Sequence, residues 1–163
     1  MKIRKNCRIC HSKTVKIISF KKISLVGNFF KKKGDLKKFP ISLNFCTKCK
    51  HVQIGEIVNQ RMLFSNYFWQ TSVSKTNISI FDDLIKLYKK KLNNNTKVLE
   101  IACNDGSFLR YLQKKFRCFL VGVDPAKNIF KKNKGLIFLN NFFNFSKEKE
   151  IRKKFGKFDF IFA

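Results

Sequence analysis

The 163 residues set 36 Lys+Arg against 10 Asp+Glu, a formal charge of +26, and are 44% hydrophobic and 15% aromatic. That apolar content can bury a core, which excludes disorder, and the length suits one ordinary domain or two small ones. Only six of the 36 basic residues are arginine, and the lysines are scattered in pairs and triplets, so the surplus reads as solvated faces. A nucleic-acid partner is thereby disfavoured, because the bidentate arginine contacts that reading needs are scarce.

No segment reaches the length of a membrane span, which excludes a membrane partner. The first seven residues are basic but lack an apolar h-region, so the reading is cytoplasmic rather than secreted. In a reducing compartment the six cysteines are expected to hold metal rather than to pair as disulfides.

Cys7-Arg8-Ile9-Cys10 and Cys46-Thr47-Lys48-Cys49 are two Cys-x2-Cys pairs with 35 residues between them. Each pair presents two thiolates from one tight turn, and two such turns complete a tetrahedral four-sulfur zinc site. The stretches 15–20, 23–26 and 39–45 read as strands, with a turn at 31–35. So small a segment buries little, and a metal cross-link supplies stability that its core lacks. With all four positions closed by protein, the zinc is structural. Two rival readings use the histidines: Cys7 to His11 matches a c-type haem attachment signature, and His51 could replace one cysteine as ligand.

Residues 51–55 read as a last small strand. Next comes Tyr67-Phe68-Trp69-Gln70-Thr71-Ser72-Val73-Ser74, where aromatics and hydroxyls interleave. Such a loop can stack on a flat ring and hydrogen-bond sugar hydroxyls, or simply cap a helix. From 74 to 92 the residues Ile78, Phe81, Leu84, Ile85, Tyr88 and Leu92 recur at helical spacing, predicting a helix that covers a sheet. Asn93 to Thr96 form a turn into the next strand.

The run Val98-Leu99-Glu100-Ile101 is a short buried strand; Ala102-Cys103-Asn104-Asp105-Gly106 is a polar turn, and a helix opens at Ser107. A strand–turn–helix of this kind sets backbone N–H groups beside a ligand. Phe119 to Asp124 is a second strand that closes on an acid 18 residues after Gly106, where a carboxylate can accept both hydroxyls of a ribose. Together these point to a nucleoside cofactor. The dinucleotide pattern Gly-x-Gly-x-x-Gly is not met, since its glycine positions hold Ala102, Asn104 and Ser107.

The spacing Glu100-x5-Gly106 followed by Asp124 resembles the class I S-adenosylmethionine (SAM) methyltransferases. Glu-Ile-Ala-Cys-Asn-Asp-Gly-Ser-Phe-Leu is similar to the version found in sugar C-methyltransferases with an N-terminal zinc domain, with Cys103 at the family's serine. The 67–74 stretch also resembles that family's Tyr-x-Tyr-x-Ser-Ser-x-Ser segment: Tyr67, Ser72 and Ser74 match, while Trp69 and Thr71 replace a tyrosine and a serine. The resemblance implies that Tyr67 faces the cofactor cleft. It implies that Glu100 and the turn with Ala102, Asn104, Asp105 and Gly106 hold the amino-acid end of SAM. Asp124 would bind the ribose, and Asn141, Phe142 and Phe143 would border the adenine. For Asp105 the alternative is a cap on the following helix.

Beyond Asp124-Pro125 a helix through Ile129 and Phe130 is expected, ending within 131–135; a strand follows at 136–139. Residues 146–155 form an exposed helix with a serine cap, and 158–163 form a fourth strand. The expected fold is α/β. It has a β-rich zinc domain at 1–66, an aromatic/Ser linker with its covering helix at 67–95, and about four parallel strands of a Rossmann-like methyltransferase domain at 96–163. Four strands leave an apolar edge, so the sheet reads as incomplete: a fragment, a split half or a decayed gene product. The family's catalytic base falls beyond residue 163, so no catalytic residue is assigned. The implied partners are a nucleotide-linked keto-deoxysugar and a separate C-terminal half. The rival function is a non-enzymatic basic zinc-ribbon protein that binds nucleic acid.

Overall fold

The computed structural model describes residues 1–25, 37–130 and 134–163. The expected turn at 31–35, and the ends at Val26 and 131–133 of two expected elements, lie outside the described residues. The chain divides into two compact units, Met1–Leu63 and Phe64–Ala163.

In the first unit, β2 (Val15–Ser24), β3 (Lys38–Phe45) and β4 (Val52–Ile54) form an antiparallel sheet in the order β2-β3-β4. The two strands expected at 15–20 and 23–26 are one strand with register shifts. A two-stranded ladder that the hydrophobic pattern does not signal joins β1 (Lys2–Ile3) to β5 (Glu56–Ile57). A short helix α1, Gln60–Phe64, closes the segment. The pairs Ile18–Leu43, Phe20–Ile41 and Leu43–Ile54 put apolar side chains on one face, where those of the outer strands stay about half-exposed. The opposite face carries Ser42, Asn44 and Gln53, which are buried, whereas of the described apolar side chains on these strands only Phe39 is.

The second unit is a four-stranded parallel sheet in the order β8-β7-β6-β9: β6 Lys97–Ile101, β7 Phe119–Asp124, β8 Leu136–Asn140 and β9 Phe160–Phe162. Strands buried on both faces read as continuous apolar runs, which is why β6 and β7 are so legible. One face packs Val98 and Leu120 against Ile85 of α2 (Lys75–Tyr88) and Leu109 and Leu112 of α3 (Ser107–Lys115). The other packs Leu99, Val121 and Val123 on Ile151 of α4 (Phe145–Phe155). Phe81 and Tyr88 join the first core as the helical spacing requires, whereas Ile78 stays exposed. Gly122 lets α3 approach: a Cβ there would lie 2.7 Å from Cys103 Sγ and 2.9 Å from Leu109 Cδ1.

Two expectations are corrected. No helix forms between Asp124 and Phe130. Ala126 N–H donates to Asp124 Oδ1 at 2.8 Å, Lys127 N–H to the Ser65 carbonyl at 2.9 Å, and the Ala126 carbonyl accepts from Asn140 Nδ2 at 3.2 Å. Backbone groups committed elsewhere cannot close helical turns. The cap of α4 is Asn144, which accepts from Lys147 N–H at 2.9 Å, rather than Ser146, which lies inside the helix.

Candidate metal centre and cofactor cleft

The β2–β3 pairing closes the 35-residue gap between the cysteine pairs. Val15 lies opposite Phe45, so the turn before β2 and the turn after β3 meet at one end of the hairpin. The four sulfurs of Cys7, Cys10, Cys46 and Cys49 lie within 4.8 Å of one another. Cys7 faces Cys49 at 3.5 Å and Cys10 faces Cys46 at 3.4 Å. A tetrahedron with Zn–S bonds of about 2.3 Å has sulfur–sulfur edges of about 3.8 Å, whereas a disulfide needs about 2.05 Å. The donors therefore fit zinc. Neither histidine belongs to the cluster, which disposes of His51 as a ligand. The first pair faces the second across the site, so the haem reading has no support.

The two turns repeat one hydrogen-bond pattern. His11 N–H donates to the Cys7 carbonyl and Lys50 N–H to that of Cys46, at 3.1 and 2.8 Å. Cys7 N–H donates to Ser12 O and Cys46 N–H to His51 O, at 2.7 and 2.9 Å. Both turns need a left-handed residue after the second cysteine, and His11 and Lys50 take it at φ 60° and 63°. Four thiols this close cannot share charge evenly. Ser12 backbone and hydroxyl hydrogen bonds bring Cys10 down to about 6. At Cys49 the His51 backbone favours the thiolate, but burial and the neighbouring thiols prevail and push it up to about 12. A divalent cation removes that conflict and lets all four ionise.

In the second unit the chain turns left-handed at Ala102, Asn104 and Gly106, with φ 57°, 52° and 76°. Ala102 and Asn104 thus adopt the backbone that the missing glycines would have taken. A Cβ on Gly106 would lie 2.9 Å from the Phe130 ring, so this position needs glycine on both counts. Asn104 knits the turn to the 67–74 segment: its Oδ1 accepts from Thr71 N–H at 3.0 Å and its Nδ2 donates to the Trp69 carbonyl at 3.1 Å. Tyr67 is fixed through its backbone, which exchanges hydrogen bonds with the Asn128 amide at 2.9 and 2.8 Å.

Asp105 is 2% exposed. It accepts from Ser72 N–H and Ser107 N–H, each at 3.1 Å, and from Ser107 Oγ at 2.5 Å, with Arg110 Nη2 at 3.8 Å. Burial opposes its charge, but the Ser107 and Ser72 hydrogen bonds hold it below the usual carboxylate range. The Ser107 bonds place Asp105 at the start of α3, where the cap position itself is Gly106 and makes no side-chain cap hydrogen bond. Asp124 accepts from Asn104 N–H on Oδ2 and from Ala126 N–H on Oδ1, each at 2.8 Å, and burial raises its pKa. Each oxygen keeps one more acceptor site.

A cavity of about 480 Å³ opens at the carboxyl ends of β6 and β7. Of the expected cofactor residues, Tyr67, Ala102, Asn104, Asp124, Phe142 and Phe143 line it; Glu100, Asp105, Gly106 and Asn141 do not. Asn141 is exposed outside the lining, its N–H donating to the Asp124 carbonyl at 3.1 Å. Trp69 and Thr71 of the aromatic and hydroxyl stretch also line it, and Phe64, Ile101, Val123 and Pro125, which escaped the sequence reading, complete the lining. Three of them flank motif residues on the strand ends, a usable signal; Phe64 gave none. Glu100 is partly buried, with one buried carboxylate oxygen lacking any partner. Burial, with the Asp105 and Asp124 charges, pushes it up to about 8 against the pull of Arg110.

Residues 7–64 match the family model Methyltransf_13, "Putative zinc binding domain". The N-terminal unit carries a methyltransferase-associated zinc-binding domain. Its four cysteines are the cluster that the geometry brings together, so zinc binding rests on two independent findings. No curated protein matches the chain at a significant level. Among the described residues, no helix is long and apolar enough to cross a membrane.

Proposed function

We propose that this chain contributes the zinc domain and cofactor half of a SAM-dependent C-methyltransferase acting on a nucleotide-linked keto-deoxysugar. In this reading residues 1–66 are the zinc domain, 67–95 the linker and covering helix, and 96–163 the first strands of a Rossmann-like domain. The reading rests above all on the 480 Å³ cavity, whose lining unites Tyr67 and Trp69 with Asp124, Phe142 and Phe143. The strand order adds support: β7 and β8 run outward on one side of β6 and β9 on the other, and parallel sheets bind ligands at such a switch point.

Five aromatic rings, from Phe64, Tyr67, Trp69, Phe142 and Phe143, form apolar walls that suit a flat base. The free acceptor sites of Asp124 would take ribose hydroxyls. Bound there, SAM would supply an electrophilic methyl group to a carbanion next to the sugar keto group. The residues of this chain would bind and orient the cofactor and exclude water.

Equilibrium binding of SAM to the zinc-loaded chain tests the reading. One saturable site, weakened at least tenfold by Asp124→Asn and little changed between low and moderate salt, supports it. Absence of SAM binding, with steeply salt-dependent binding to any duplex, would favour the nucleic-acid reading instead.

A further inference from the structure

The N-terminal residues reach the zinc site along an unusual route. Residues 4–8 cross the polar face of the β2-β3-β4 sheet, yet beyond β1 their backbone is anchored there mainly by side-chain amides. Asn44 and Gln53 are cross-strand neighbours on β3 and β4. Asn44 Nδ2 donates to the Arg4 carbonyl at 3.3 Å. Gln53 Nε2 donates to the Asn6 carbonyl at 3.0 Å, and its Oε1 accepts from Arg8 N–H at 2.8 Å. The anchored groups fall on residues 4, 6 and 8, the alternation of an extended chain. The arrangement is tight, since a Cβ on Gly55 would come within 2.8 Å of both Asn44 Nδ2 and Ser42 Oγ.

Arg8 sits inside the first Cys-x2-Cys turn, and Gln53 lies four residues beyond Cys49 of the second. We propose that Gln53 is the positioning residue of the zinc centre: its buried amide holds the Cys7/Cys10 turn in ligating register with Cys46 and Cys49. Gln53 is 5% exposed, and both ends of its amide are satisfied by groups 45 and 47 residues away. A buried amide with one donor and one acceptor in use specifies both position and direction, which apolar packing does not. The second turn is held on both sides, by β3 and β4, whereas the first is followed by β2 but preceded only by the segment that Asn44 and Gln53 anchor. The asymmetry makes the first cysteine pair the dependent half of the site and Gln53 the group on which it depends. Outer partners of metal ligands act this way, and removing one weakens metal binding by about 10–100-fold.

The test replaces Gln53 with methionine, which keeps the volume and loses both hydrogen bonds, in the full chain. Zinc affinity is measured by chelator competition. Alkylation of each cysteine in the zinc-loaded protein is followed by mass spectrometry with iodoacetamide. The expected result is zinc affinity lower by about 10–100-fold, with Cys7 and Cys10 alkylated faster while Cys46 and Cys49 keep their protection. A loss of fold alone would expose all four together, so uniform exposure overturns the proposal. Unchanged affinity with unchanged protection overturns it too. If Gln53→Met does not accumulate as folded protein, Gln53→Glu carries the same test. It keeps an acceptor for Arg8 N–H and loses the donor to Asn6. Selective exposure of the first pair supports the proposal, and uniform or absent exposure contradicts it.

Discussion

The two units bury opposite things. In Phe64–Ala163 both faces of the parallel sheet are apolar and covered, with Leu109, Leu112 and Val121 wholly buried. In Met1–Leu63 the sheet buries the polar Ser42, Asn44 and Gln53, and, Phe39 apart, apolar side chains such as Ile18, Phe20 and Ile54 remain half-exposed. The first arrangement draws its stability from the hydrophobic effect. The second gives buried Ser42, Asn44 and Gln53 hydrogen-bond partners and closes on four thiols. A short chain with little core can thus be held in shape by directional bonds and a metal.

Cys46→Ser should break this contrast most severely. It should remove stoichiometric zinc and open residues 1–57 to proteolysis, while the second unit keeps its protection. The loss is several kcal/mol, a share of the ~10–16 kcal/mol that structural zinc supplies in small domains. Leu109→Ala should do the reverse. Thermal melts should show the parallel-sheet unit destabilised by about 3–5 kcal/mol with zinc content unchanged.

Glu100→Gln sharpens the comparison through pH. The folded chain keeps a proton on Glu100 up to about pH 8, whereas the unfolded chain releases it near the ordinary value of 4.5. Folding therefore grows less favourable as pH rises through that window, and this effect is absent below it. The glutamine variant should lose the slope and gain up to roughly 4 kcal/mol at pH 9. Melting temperatures of both proteins between pH 5 and 9 would show it. A parallel decline in the two would contradict the burial of that carboxyl. The smallest effect is expected for Ala102→Gly. It relieves the left-handed backbone at φ 57° and should stabilise by about 0.5 kcal/mol in denaturant titrations.

What the sequence made legible follows the same division. Strands β6 and β7 stood out because both-face burial leaves an unbroken apolar run. The metal ligands stood out because Cys-x2-Cys spacing is dictated by coordination geometry and survives any fold. The first unit's interior was hidden for a physical reason. Phe39, Ile41, Leu43 and Phe45 alternate with Ser42 and Asn44, and alternation reports two faces without saying which is covered. A helix through Ile129 and Phe130 is what the sequence suggests, but the bonds that Ser65 and Asn140 make to the backbone of 126–127 come from distant segments that no local pattern records. Asp105 and Asp124 were both visible as motif acids. Only the hydrogen bonds from Ser72 and Ser107 separate the one at the start of the helix from the one in the cavity wall.

Hydrogen exchange followed by mass spectrometry, with SAM added or zinc chelated, tests the account most directly. SAM should slow exchange in segments 67–71, 101–105, 123–126 and 141–143 and leave residues 1–57 unaffected. Chelation should quicken exchange in residues 1–57 and leave β6 and β7 protected. If SAM slows no segment around the cavity, or if chelation loosens both units in step, the division into a metal-held domain and a cofactor-binding sheet is wrong.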